Sequence, residues 1–151
     1  SRSTVNSYCC SVGLTTATVR ALPSSVSAAA FETTGLALKL YRNHFGTVPL
    51  AVTGDAKPLD VAAALTEDGK ALTVAVVNPT EQQYELTVDL ENTRLRRNGV
   101  LWRIAHTDPE AYNDPGKEPN VVINEKKISG FSNNMKLPPL SISLYKFGIR
   151  R

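Results

Sequence analysis

From Phe31 onward the chain alternates apolar and polar positions with a period of two. That is the pattern of strands with one face buried and one face wet. Leu36, Leu38 and Leu40 alternate with Ala37, Lys39 and Tyr41, and Val48, Leu50 and Val52 repeat the pattern, so each run predicts a strand. A further strand over Leu59–Leu65 ends at Thr66-Glu67-Asp68-Gly69-Lys70. Asp-Gly there signals a hairpin, because glycine supplies the positive φ a tight turn needs. Its partner, Ala71 to Asn78, is apolar on both faces, as a central strand of a sandwich would be. After the Asn78-Pro79-Thr80 turn comes the cleanest amphipathic run, Tyr84, Leu86, Val88 and Leu90 against Glu85, Thr87 and Asp89. Val100, Trp102 and Ile104 mark the next strand, Val121–Lys127 another, and Leu140, Ile142 and Leu144 the last. Leu137-Pro138-Pro139 leads into that last one and suggests a strand starting at a sheet edge, where missing N–H donors do least harm. Between them, His106 to Asn120 reads as a long loop punctuated by Asp-Pro, Asp-Pro-Gly and Glu-Pro. No segment shows a convincing 3.6-residue period. The fold class predicted is all-β, an antiparallel sandwich of about seven to nine strands.

The front of the chain differs. Its first thirty residues hold eleven Ser or Thr and only two charges, Arg2 and Arg20. A strand over 15–22 would be broken by Pro23-Ser24-Ser25. The expected division is therefore a linker or poorly ordered remnant over 1–25 and the sandwich over 26–151.

Composition narrows the function classes. The chain has 151 residues, 42% of them hydrophobic and 21% charged, which suffices for one domain with a proper core. Seventeen basic against fourteen acidic residues give a net charge of +3, too mild to point to nucleic acid or an anionic membrane. Arg94, Arg96 and Arg97 form the nearest thing to a basic patch and read as a solvated turn between strands. No apolar stretch approaches the ~20 residues that span a bilayer, and the first residues lack a signal peptide's apolar core. Cys9 and Cys10, the only cysteines, are neighbours and unsuited to a mutual disulfide, which favours a reducing, cytoplasmic compartment. Two His and a Cys pair show no ligand spacing, so neither metal nor cofactor is expected. Asn78-Pro79-Thr80 is no glycosylation acceptor, because proline blocks it.

Candidate chemistry is sparse. A glycosidase of the usual kind needs two carboxylates about 5 to 9 Å apart, one with a raised pKa. Glu67, Asp68 and Glu81 belong to hairpin turns, and Asp108, Glu110 and Asp114 share a loop with nothing apolar nearby to raise a pKa. Neither His44 nor His106 has an activated Ser or Cys close in sequence. Trp102 shares a side with Val100 and Ile104 and is expected in the core, whereas Tyr112, in the long loop, is the aromatic expected to be exposed. Asn43 and His44, in the turn-like Asn-His-Phe-Gly, join Tyr112 and Asn113 as the candidate binding residues.

Taken together, several segments resemble a known family. Gly35-Leu-Ala-Leu-Lys-Leu-Tyr-Arg-Asn-His-Phe-Gly-Thr-Val-Pro-Leu50 resembles the segment that follows the catalytic barrel in the α-L-arabinofuranosidases of glycoside hydrolase family 51. Pro58-Leu-Asp-Val-Ala-Ala-Ala-Leu65 and Leu72-Thr-Val-Ala-Val-Val-Asn-Pro-Thr80 are similar to the central hairpin of that family's C-terminal domain. The 108–122 loop and the ending Leu137-Pro-Pro-Leu-Ser-Ile-Ser-Leu-Tyr145 resemble its long loop and closing strand. The likeness runs in order over residues 29 to 147. It implies a jelly-roll-like accessory domain that packs on a (β/α)₈ barrel bearing two catalytic glutamates. Neither glutamate lies in this chain, so no catalytic residue is carried over.

Three functions follow as expectations: an accessory domain supporting an arabinofuranosidase barrel, an independent module for arabinose-containing polysaccharide, or a small hydrolase. An apolar face left by the barrel would also favour a homo-oligomer.

Overall fold

The computed structural model describes residues 6–13, 33–91, 93–114 and 117–150, the first of these by its backbone. The described residues form nine strands and one helix in chain order: β1 (Asn6–Gly13), α1 (Thr33–His44), β2 (Val48–Asp55), β3 (Asp60–Leu65), β4 (Ala71–Asn78), β5 (Tyr84–Leu90), β6 (Arg94–Ala105), β7 (Asn124–Ile128), β8 (Asn134–Leu137) and β9 (Ser141–Arg150). They hydrogen-bond in the order β7-β6-β9-β4-β3-β2-β1-β5-β8. Strand β2 turns this path from one layer into the other. Val48, Pro49 and Leu50 pair with β3, whereas Ala51 to Asp55 pair with β1. Two layers result, a larger one from β7 to β2 and a smaller one from β2 to β8. All pairs are antiparallel except β1 with β5, which is parallel.

The core lies between the layers. Leu72, Val74 and Val76 of β4 and Tyr145 and Phe147 of β9 face Leu86 and Val88 of β5 and Met135 and Leu137 of β8. Burying each large apolar side chain is worth about 1.5–3 kcal/mol, so this two-sided cluster is the main source of stability. The alternation read from the sequence produces it. Strand β4 is buried on both faces, as its apolar composition predicts, with Val74, Ala75 and Val76 all fully enclosed. The Asp68-Gly69 hairpin also forms as predicted, with φ of 64° at Gly69 and Asp68 Oδ1 accepting from the Thr66 hydroxyl at 2.7 Å and the Lys70 amide at 3.1 Å.

Polar residues inside the sandwich are tied down. Asn78, 1% exposed, donates to Gln82 O at 2.8 Å and Pro138 O at 2.7 Å, and accepts from the Thr80 amide and hydroxyl. One side chain thus joins the β4–β5 turn to the β8–β9 connection. Arg103 of β6 donates to Ser143 Oγ, to the Tyr145 hydroxyl and across the core to Lys136 O in β8. Burial pushes the Tyr145 phenol up, with the Arg103 guanidinium opposing the shift.

Three expectations are corrected. Thr33–His44, where Leu36 to Tyr41 read as a strand, is an α-helix. Leu36, Ala37, Leu40 and Tyr41 recur at helical spacing and pack on the sheet, whereas Leu38, which a period of two puts on the side of Leu36 and Leu40, is 52% exposed. Arg94, Arg96 and Arg97, read as a turn, lie in β6, paired with β9 across a bulge between Leu95 and Gly99. The last strand is central, between β6 and β4, and not at an edge. Pro138 and Pro139 precede it, so its ladder starts at Ser141 with every donor present. Residues 6–13, inside the expected linker, form β1. The possible strand over 15–22 and the boundary at residue 25 lie outside the described residues.

Candidate functional site

The outer face of the larger layer carries α1. Trp102 and Ile104 of β6, Leu144 of β9 and Ala75 of β4 form a second apolar cluster there, into which the helix inserts Leu40, 0% exposed. At the C-terminal end of the helix, the His44 ring stacks on the Trp102 indole, with centroids 4.0 Å apart and planes inclined by 17°. The indole N–H donates to Glu125 Oε2 of β7 at 2.8 Å. Trp102 is therefore closed on its face by a histidine and at its edge by a carboxylate. At 8% exposure it offers no free platform for a sugar ring, which agrees with its expected place in the core. Gly46 follows directly, donating its amide to Thr73 Oγ1 at 2.8 Å. A Cβ there would stand 2.3 Å from Leu65 O, so the chain leaving α1 packs against the β3–β4 hairpin, and Asn43 and His44, which read as a turn, are the last residues of the helix.

His44 is held neutral. Burial lowers its pKa; Glu125 pulls the value back up and Lys146 pushes it down. Because the unfolded chain takes up the proton more readily, this contribution to stability is complete above the ordinary histidine pKa and is lost as pH falls through it toward the lower folded value. Stability should therefore decline between pH 7.5 and 5.5 more steeply in the native protein than in His44→Phe, which keeps the stack without the titrating ring. Chemical denaturation at the two pH values checks this, and parallel declines would contradict it.

The other two candidate residues stand at the opposite end of α1. Thr33 donates to Ala111 O at 3.4 Å, which places the 106–120 loop beside the first turn of the helix. Residues 33 and 44 are separated by about 16 Å of helix axis. Asn43 and His44 are thus not brought together with Tyr112 and Asn113. Tyr112 is 63% exposed, as the sequence suggests. Asn113 is buried, and its amide is committed to the backbone: Nδ2 donates to Val121 O at 2.8 Å and Oδ1 accepts from the Val121 amide at 2.7 Å. That reciprocal pair closes the loop and seats Val121 in the outer cluster. Asn43 is exposed at the helix end.

Beside the loop is an open depression of about 220 Å³, bordered by Thr33, His106, Asp108 and Pro109 and floored by Ile104 and Ile142. Its polar groups serve the local backbone. His106 Nδ1 accepts from the Asp108 amide at 3.0 Å, and Asp108 Oδ1 accepts from the Glu110 amide at 2.9 Å. Asp114 pairs with Lys117 at 2.6 Å. The three loop carboxylates expected to be solvated are accordingly two loop-formers, Asp108 and Asp114, and one exposed side chain, Glu110. Among the described residues no group of three or more His, Cys, Asp or Glu is placed to hold a metal ion. The residues that sequence reasoning missed are Glu125 and Asn78. Glu125 opposite Trp102 could be found only from the β6–β7 register, and Asn78 only from its distant partner at Pro138.

No protein-family model and no curated protein matches the chain. Solved structures do. An α-L-arabinofuranosidase from Thermotoga maritima, in complex with arabinose, is 22% identical over 78% of this chain and 29% of its own, with a TM-score of 0.66. The family 51 arabinofuranosidase from Thermotoga petrophila is 22% identical over 76% of this chain and 28% of its own, with a TM-score of 0.63. A family 44 xyloglucanase from Paenibacillus polymyxa is 20% identical over 76% of this chain and 22% of its own, with a TM-score of 0.56. The chain spans less than a third of the length of the arabinofuranosidases it matches. It has the fold of one part of these glycoside hydrolases, which bears out the sequence resemblance at the level of fold.

Proposed function

We propose that this chain is the C-terminal sandwich of an α-L-arabinofuranosidase-like glycoside hydrolase, supporting the catalytic barrel and doing no chemistry itself. The observation that carries the reading is the match of more than three quarters of this chain, in fold, to a minor part of the arabinofuranosidases. The ordered motifs from Gly35 to Tyr145 favour family 51 over family 44, whose members share the fold. In this reading the parent enzyme acts on arabinan or arabinoxylan. Leu38, Tyr112 and Val122, the large hydrophobic side chains exposed among the described residues, supply contact with the barrel or, in its absence, with a second copy. No helix among the described residues is long and apolar enough to cross a membrane, and the adjacent Cys9 and Cys10 favour the cytoplasm.

A supporting domain need not hold substrate. Calorimetric titration of the purified chain with neutral arabinoxylan fragments should give no binding heat. Saturable binding with a Kd below about 1 mM would make the chain an independent carbohydrate-binding module and overturn the supporting role.

A further inference from the structure

The outer face of the larger layer continues past the C-terminal end of α1, and there it is cationic. Strand register fixes which side chains share that face. Lys127 of β7 pairs with Val100, which pairs in turn with Lys146 of β9. Val100 belongs to the cluster under α1, so both lysines point to the helix side. Further along, Leu95 packs into the inner core, which turns its neighbour Arg94 outward, directly opposite Arg150. Arg96 joins them by way of the β6 bulge. Its side chain lies over Gly148, where an added Cβ would come within 2.9 Å of its Cδ. Glycine at 148 is what lets Arg96 lie flat across β9.

These five cations have no ion-pair partner among the described residues, where the ion pairs are Lys70–Asp68 and Lys117–Asp114. Like charges directly opposite in a ladder cost stability, and the Arg94–Arg150 pair bears that cost. Bulges commonly re-aim a side chain at a site, and this one adds a third arginine to the pair. The charges also form a track rather than a point. Lys127 and Lys146, two strands apart, have Cα atoms about 10 Å apart, and Lys146 to Arg150 spans about 13 Å. A linear partner with repeated negative charge fits such spacing, and a single small anion does not.

We propose that this face binds an acidic polysaccharide, a chain bearing uronate carboxylates. Single-stranded nucleic acid is matched by cations interleaved with stacking aromatics, whereas the aromatics of this face are packed away, Trp102 under His44 and Tyr41 and Phe45 against the outer cluster. A stable protein partner is matched by an apolar centre with a charged rim. The large exposed hydrophobics described, Leu38, Tyr112 and Val122, lie on α1 and the loop region instead. The inference stands on the face itself and does not require the supporting role.

Native electrophoresis of the purified chain through gels containing polygalacturonate tests it, with neutral arabinan and duplex DNA in parallel gels. Retardation by polygalacturonate alone is expected, and it should disappear as ionic strength approaches about 0.5 M. The exposed triple variant Arg94→Ser/Arg96→Ser/Lys127→Ser should bind about tenfold more weakly, while Lys57→Ser and Lys117→Ser should bind as the native chain does. Should the triple variant melt earlier than the native chain, Arg94→Ser and Lys127→Ser singly should each weaken binding about twofold. No retardation, equal retardation by neutral arabinan, DNA bound as tightly as polygalacturonate, or variants that bind undiminished would each overturn the assignment. Failure here leaves the titration with neutral fragments unaffected, so the two readings fall separately.

Discussion

Trp102→Ala is expected to destabilise the domain by about 3–5 kcal/mol, the usual range for truncating a buried tryptophan. Three contacts end with the same substitution. Leu40 loses part of the apolar floor it inserts into, His44 loses the ring on which it stacks, and Glu125 loses the donor at 2.8 Å. Because α1 is held mainly by this cluster, and a twelve-residue helix is marginal alone in water, the helix should loosen before the sandwich does. Far-ultraviolet circular dichroism during urea unfolding checks both points. The chain contains one tryptophan, so the native emission also reports on this contact. A variant that unfolds at the native midpoint would show that α1 is held by something else.

Phe147→Ala should cost a similar amount, about 3–5 kcal/mol, by a different route. Phe147 is fully buried in the inner core and stacks on Phe131 at 4.0 Å. Its ring also covers Gly99 of β6, where an added Cβ would come within 2.4 Å of it. An aromatic lying over a cross-strand glycine shields the bare backbone and fills the gap that the missing side chain leaves. Alanine at 147 removes both benefits and opens a cavity bordered by two layers. For a domain of this size the melting temperature should fall by about 10 °C, with helix α1 and sheet lost together because the damage is central. Phe147→Leu should recover more than half of the loss. An alanine variant within 2 or 3 °C of the native protein would mean that the layers repack around the hole.

The sandwich was legible because a half-buried strand writes itself as alternation, as Tyr84 to Leu90 does over a whole strand, and a central strand as a short apolar run between turns, as Ala71 to Asn78 does. The helix was not, for a local reason. Leu36, Leu38 and Leu40 match a period of two as well as Leu36, Leu40 and Tyr41 match one of 3.6, and only the packing partner decides between them. Strand β8 is four residues long and keeps two buried positions, Met135 and Leu137, too few to show a period. The arginine-rich start of β6 exposes its polar face and carries a bulge, so its sequence resembles a turn. At the candidate site, the buried place of Trp102 and the exposure of Tyr112 follow from neighbours along the chain. The stack with His44, the bond to Glu125 and the commitment of Asn113 to Val121 depend on pairings across strands and loops, which local sequence does not encode.

The supporting role makes its sharpest claim about chemistry. Purified chain incubated with p-nitrophenyl α-L-arabinofuranoside, alongside other aryl glycosides, should release no nitrophenol above the protein-free rate. Steady turnover that disappears in Asp108→Asn or Asp114→Asn would contradict the account and locate a catalytic site in the 106–120 loop.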